Sequence, residues 1–271
     1  MAEQESSARR GPMRSAPQDL EAWKRQPSTP QTESPAYRLA FTDPDFILRD
    51  ELRPVRLQLE LLKPELIMQQ YGIESTVVIF GSARIQDDET GSANPVLNPH
   101  YEEARKFARI VSEASRDSGF REYVVVSGGG PGIMEAANRG AADIAAPSIG
   151  LNIVLPHEQA PNGYITPELC IQFHYFALRK MHFLMRARAV VAFPGGFGTM
   201  DELFEALTLI QTGKVRRFPV VLFGEEFWRK VINFDALVEA GTISPADIDL
   251  ITFVKTAEEG WNAISSFYRP R

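Results

Sequence analysis

Cysteine is almost missing from these 271 residues. Cys170 stands alone, so no disulfide can form within the chain, which fits a reducing compartment and an expected cytoplasmic location. Long apolar runs are missing as well; none approaches the roughly 20 residues of a membrane-spanning helix. Glu3, Glu5, Arg9 and Arg10 surround no apolar stretch of the kind a secretory signal needs, so none is expected. There is no excess of positive charge. With 29 Lys and Arg against 35 Asp and Glu, the net charge is −6 and the pI about 5.4, which argues against nucleic acid or an anionic membrane as partner. A small anion is still possible, held by main-chain N–H groups and an arginine. His100, His157, His174 and His182 lack metal-ligand spacing, and with one cysteine a zinc site is excluded. The G-x-G-x-x-G and G-x-x-x-x-G-K-[ST] patterns are absent, and Ser82 has neither a nucleophile-elbow setting nor an evident base. Dinucleotides, nucleoside triphosphates and serine hydrolysis are therefore poor fits.

What remains is an ordinary globular composition, 44% hydrophobic and 24% charged, long enough for a sizeable core. Residues 1–40 read as a disordered tail, with Pro12, Pro17, Pro27, Pro30 and Pro35 among polar residues. Residues 41–72 form a helical extension that Pro54 and Pro64 should cut into short pieces. Residues 73–271 read as one nucleotide-binding domain. Continuous apolar runs at 76–80, 123–127, 149–155, 169–173, 189–193, 218–223 and 250–254 have the character of strands buried on both faces. Helical stretches at 101–118, 133–145, 176–187, 200–212, 226–240 and 258–268 alternate with most of them. That alternation predicts a Rossmann-like doubly wound parallel sheet, a single α/β domain with an N-terminal helical extension.

Three glycine-bearing loops follow strands, where such folds bind ligands. They are Phe80-Gly81-Ser82-Ala83-Arg84, Gly128-Gly129-Gly130-Pro131-Gly132 before Ile133-Met134, and Pro194-Gly195-Gly196-Phe197-Gly198-Thr199. Glycines let main-chain N–H groups approach a ligand, and a helix N-terminus adds about half a positive charge. A phosphate group suits that setting. Asp201 and Glu202 do not suit a phosphate, although Thr199 as N-cap and Glu202 at N3 also make a capping box. Arg179 and Lys180 open a predicted helix, where two cations oppose the dipole; a solvated surface pair is the plain alternative. Met134, Met181 and Met185 read as core residues.

The third loop continues into Met200-Asp201-Glu202 and resembles the PGGxGTxxE signature of the LONELY GUY proteins, which are cytokinin riboside 5′-monophosphate phosphoribohydrolases once labelled lysine decarboxylases. Arg179-Lys180, fifteen residues before Pro194, is similar to the family's arginine–lysine pair, and the other two loops resemble its glycine loops. The resemblance covers roughly residues 75–255. It departs in about 70 extra N-terminal residues, as in longer bacterial-type members, and in Phe176-Ala177-Leu178, where short members carry Met-His. The resemblance implies hydrolysis of the N-glycosidic bond of a nucleoside 5′-monophosphate, AMP or an N6-modified cytokinin riboside monophosphate, with no metal or organic cofactor. Arg179 and Glu202 would be catalytic. Substrate contacts would come from Gly81, Ser82, Gly129, Gly130, Gly132, Met134, Glu158, Lys180, Gly195, Gly196, Phe197, Gly198, Thr199 and Thr208. It further implies a homodimer or a larger assembly of dimers, with helices 176–185 and 203–210 as candidate packing faces. A non-hydrolytic carrier of a nucleotide-like cofactor is the alternative. Lysine decarboxylation would need pyridoxal phosphate on a lysine, and nothing marks Lys180 or Lys214 for that role.

Overall fold

Apolar runs with no polar face are satisfied only between two helix layers. In the computed structural model, which describes residues 13–87, 97–156 and 160–269, seven such runs form one sheet. They are β1 (Thr76–Phe80), β2 (Val124–Ser127), β3 (Ser148–Ile153), β4 (Cys170–Phe173), β5 (Ala187–Ala192), β6 (Val220–Phe223) and β7 (Ile251–Val254). Their spatial order is β4-β3-β2-β1-β5-β6-β7, and every pairing is parallel. Among the described residues the α-helices of six residues or more are α1 (Ala16–Lys24), α2 (Arg53–Gln70), α3 (Pro99–Ser115), α4 (Ile133–Ala142), α5 (Phe176–Met185), α6 (Phe197–Gln211), α7 (Glu225–Val231), α8 (Phe234–Glu239) and α9 (Ala257–Phe267).

Successive strand residues point to opposite faces. Val77, Ile79, Val125, Val191 and Val221 share a core with Phe107 and Val111 of α3, Ala136 of α4 and Ile264 of α9. Val78, Val126, Val190 and Leu222 are equally buried on the other face, where Phe183 of α5 meets Phe80 edge-on at 4.9 Å. The α/β class and the doubly wound parallel sheet are thus as expected. The chain divides into two compact units, residues 1–58 and 59–271, and the second contains the whole sheet. No helix among the described residues is long and apolar enough to cross a membrane.

Four local expectations need correction. Met181 and Met185, read as core residues, are each 48% exposed on α5. Short helical pieces do occupy the first part of the 41–72 segment, at Pro44–Ile47 and Asp50–Leu52, but Pro64 makes no break, because α2 runs on from Arg53 to Gln70. Pro54 sits in the first turn, where no N–H is needed. Pro64 lies inside the helix at a cost of about 3 kcal/mol, and its ring is buried. The single helix expected at 226–240 is two, since the Asn233 side chain accepts from Ala236 N–H at 3.0 Å and starts α8 afresh. Within the stretch read as disordered, Ala16–Lys24 is helical. Gln18 Oε1 accepts from Ser15 N–H at 2.9 Å, and none of its residues is buried.

Candidate active site

The chain builds outward from β1 to β4, then returns to the other side of β1 with β5. That reversal opens a crevice beyond the carboxyl ends of β1 and β5, the usual ligand position in such sheets. Main-chain bonds stitch the loops around it. Ser82 N–H donates to the Pro194 carbonyl at 3.1 Å, and Ile133 N–H to the Ser82 carbonyl at 3.1 Å. Here lies a cavity of about 660 Å³, walled by residues 80–84, Gly128, Met134, Ile153, Leu155, Phe176, Arg179, Phe183 and residues 196–202. An apolar cleft beside the C-terminal half of α6 encloses only about 80 Å³, too little for a nucleotide.

The helix entering this cavity starts earlier than its sequence suggests. Gly196, not Thr199, is the N-cap of α6, and no side chain caps it. Met200 N–H makes the first intrahelical bond, to the Gly196 carbonyl at 3.0 Å, so the N–H groups of Phe197, Gly198 and Thr199 have no intrahelical partner. The capping-box reading therefore fails. Thr199 is the third helical residue and Glu202 the sixth, beyond the reach of a reciprocal cap. Gly195 is required by close approach, since a Cβ there would lie 2.1 Å from Thr199 Oγ1.

Glu202 is only 7% exposed. Burial raises its pKa from an ordinary 4.5 to about 7, against the pull of Lys180 and Arg179 and with a push from Glu205 and Asp201. Arg179 is held over the strand ends: Nε donates to the Leu151 carbonyl at 2.7 Å, Nη2 to the Gly128 carbonyl at 3.2 Å, and the guanidinium stacks 5.3 Å from the Phe183 ring centroid. A Cβ on residue 128 would sit 2.6 Å from Nη2, so any larger residue there would push the guanidinium aside. Lys180 pairs with Asp201 and Glu205, both at 2.9 Å. Burial alone would lower its pKa, but these two hydrogen bonds outweigh it and hold the ammonium above its ordinary value. The plain alternative of a solvated Arg-Lys pair does not hold, because both side chains are bound to protein groups.

Of the residues singled out in the sequence, Gly81, Ser82, Met134, Arg179, Gly196, Phe197, Gly198, Thr199 and Glu202 converge on the cavity wall. Gly129, Gly130, Gly132 and Gly195 are not among the residues that wall it. Gly129 N–H donates to Ser127 Oγ at 3.1 Å, and Asn162 Nδ2 donates to the Gly129 and Gly130 carbonyls at 3.2 and 3.0 Å. Gly132 supplies a φ of 70° ahead of α4, a conformation glycine adopts without strain. Lys180 and Thr208 face a neighbouring open depression on α6 instead. Glu158 lies outside the described residues. Arg84 and Gly128, from the first two glycine-bearing loops, also line the wall, as do Ile153, Leu155 and Phe183, to which the sequence assigned no site role; apolar residues at strand ends and in helices carry no local mark of a binding surface.

A family model described as possible lysine decarboxylase matches residues 134–264. Cytokinin riboside 5′-monophosphate phosphoribohydrolase LOG3 of Arabidopsis thaliana is 29% identical over 140 residues, covering 50% of this chain and 63% of that protein. The probable cytokinin riboside 5′-monophosphate phosphoribohydrolase LOGL3 of Oryza sativa subsp. japonica is 36% identical over 83 residues, covering 30% of this chain and 39% of its own length. The chain thus spans less than two thirds of either relative. Among solved structures, the X-ray structure of TM1055 is 20% identical, covers 71% of this chain and 99% of its own, and has a TM-score of 0.48. The molybdenum cofactor carrier protein of Chlamydomonas reinhardtii is 18% identical, with coverages of 71% and 97% and a TM-score of 0.45. Over residues 134–264 the chain is thus similar to the family described as possible lysine decarboxylase, and the relatives it matches carry the name of the LONELY GUY phosphoribohydrolases that its glycine-loop and arginine–lysine motifs resemble.

Proposed function

We propose that this protein hydrolyses the N-glycosidic bond of a nucleoside 5′-monophosphate, AMP or an N6-modified cytokinin riboside monophosphate, releasing the free base and ribose 5-phosphate. The observation that carries the reading is a nearly buried carboxyl, Glu202, beside three uncapped N–H groups of the same helix in one cavity. The N–H groups and the helix dipole favour a phosphate, with Ser82 and Arg84 on the facing loop. Thr199 and Glu202 are separated by about 4.5 Å of axial rise, which a ribose can bridge. As the bond to the base breaks, positive charge grows on the ribose. An ionised Glu202 stabilises that charge and orients the water that adds to the anomeric carbon, while the departing base takes up a proton. Arg179 lies close enough to favour the ionised carboxyl. The curated relatives' names support the same reaction class.

The family description would instead call for pyridoxal phosphate on a lysine. Lys180 is bound to two carboxylates and held more basic than usual, which disfavours the neutral amine that imine formation needs. Lys214 is exposed three residues beyond the far end of α6. Neither fits, and no step is assigned to that cofactor. Phe176, Met181 and Met185 on α5 and Phe204 on α6 are apolar and exposed, which supports a homodimer or an assembly of dimers built on these helices.

The test is base release from AMP, a cytokinin riboside monophosphate and adenosine by purified protein. Both monophosphates should be cleaved and adenosine far more slowly. Equal rates on AMP and adenosine would remove the phosphate-anchoring argument. Tight AMP binding without base release would favour the carrier reading.

A further inference from the structure

Arg179 and Lys180 are the fourth and fifth residues of α5, in the half of the helix where cations oppose the dipole, and α5 does little of its own to offset them. Its N-cap, Tyr175, makes no side-chain cap, and its first turn holds no acidic residue. The compensation comes from α2, which contributes nothing to the cavity wall. Glu60 Oε1 accepts from His174 N–H at 2.9 Å, and Oε2 from Tyr175 N–H at 3.1 Å. Tyr175 in turn accepts Arg179 N–H at its carbonyl, at 3.2 Å. A hydrogen-bonded path therefore runs from the α2 carboxylate through Tyr175 to the main chain of Arg179. At the other end of α5, Glu65 holds Arg186 in a two-pronged pair at 2.7 and 2.6 Å. Between the two carboxylates lie the buried ring of Pro64 and, on α5, the buried His182.

We propose that Glu60 is a positioning residue for the site: its carboxylate, supplied by α2, caps the start of α5 and sets the Arg179 guanidinium beside Glu202. The inference rests on Arg179 and Glu202 being the reacting pair proposed above. A helix start with two N–H groups bound to an anion has a fixed entry angle. With those groups released to water, the first turn frays and the guanidinium loses its fixed place over the strand ends.

The test uses the full chain with Glu60→Ala and Glu60→Gln, the second keeping the shape but offering one acceptor oxygen and no charge. Two readouts are taken. One is kcat and KM for adenine release from AMP. The other is the titration of the Glu202 carboxyl by ¹³C NMR, its signal identified by loss in Glu202→Gln. The charged groups around Glu202 are Arg179 and Lys180 from α5 and Asp201 and Glu205 from α6. Withdrawing Arg179 removes an attraction that favours the ionised form, so the titration should move upward by about 0.5. In Glu60→Ala, kcat should fall about tenfold or more through lost orientation, while KM changes by less than about threefold. Glu60→Gln should fall between it and the parent, and it carries both readouts if Glu60→Ala does not fold. Glu65→Gln breaks the pair at the far end of α5 and should lower the melting temperature while moving neither readout. Folded Glu60 variants with parental kcat and parental Glu202 titration would overturn the proposal and leave Glu60 a structural cap. If the parent protein releases no base from any nucleotide, the functional reading fails, yet the titration still decides whether Glu60 places Arg179.

Discussion

Replacing Glu202 by glutamine should make the protein more stable and less active, and the stability gain should depend on pH. Folding takes the carboxyl from an ordinary 4.5 to about 7, chiefly by burial. Between those values the native state binds more protons than the unfolded chain, so stability falls as pH rises. Below 4.5 the acid is neutral in both states and burial of the charge costs nothing. Above 7 the full cost applies, about 3 kcal/mol at about 1.4 kcal/mol per tenfold change in protonation. Glutamine removes this charge. Its buried amide carries a penalty of its own, about 1–3 kcal/mol if unpaired, but that penalty does not vary with pH. The melting temperature of the variant relative to the parent should therefore climb steadily from pH 5 to pH 8. At roughly 2–4 °C per kcal/mol for a chain of this size, the climb is several degrees. Turnover of AMP should fall by about 10² or more while AMP still binds. Thermal melts across that pH range, paired with base-release assays, read both effects. A melting difference that is flat in pH would refute the buried, proton-binding Glu202. Unchanged turnover would remove its catalytic assignment.

Other outcomes follow from the same geometry. In the parent protein, kcat/KM for AMP should rise with pH and level off near 7 as Glu202 ionises, and Glu202→Gln should abolish that dependence. Arg179→Ala should cripple turnover, whereas Lys214→Ala, exposed beyond the end of α6, should leave the rate within about twofold of the parent. Gly195→Ala would drive a Cβ to 2.1 Å from Thr199 Oγ1 and should cost about 1–3 kcal/mol of stability, with a higher KM for AMP as the start of α6 shifts. Light scattering at micromolar concentration should give a mass of at least twice 30.3 kDa; a single-chain mass would count against assembly on α5 and α6.

The seven strands were legible because burial on both faces demands continuous apolar residues, and Thr76–Phe80 is buried at every position, with four apolar residues after Thr76. The site was legible where chemistry imposed a residue type. Gly196 and Gly198 open a helix that no side chain caps, and Arg179 and Glu202 stand in recognisable motifs. Other features depend on contacts far apart in sequence. The first turn of α6 reads as loop because its glycines are poor helix formers, which displaced the expected N-cap by three residues. Pro64 reads as a break, yet its burial within α2 leaves the helix continuous. The pairing of Lys180 with Asp201 and Glu205, and of Glu60 with the main chain of α5, has no local signal, since the partners come from different helices.

The most direct measurement is a single-turnover incubation of the protein, in excess over AMP, with adenine and ribose 5-phosphate quantified over time. Both products should appear together in equal amounts in the parent protein and stay near background in Glu202→Gln. AMP that stays intact on the parent protein while binding it stoichiometrically would contradict hydrolysis and make this protein a carrier.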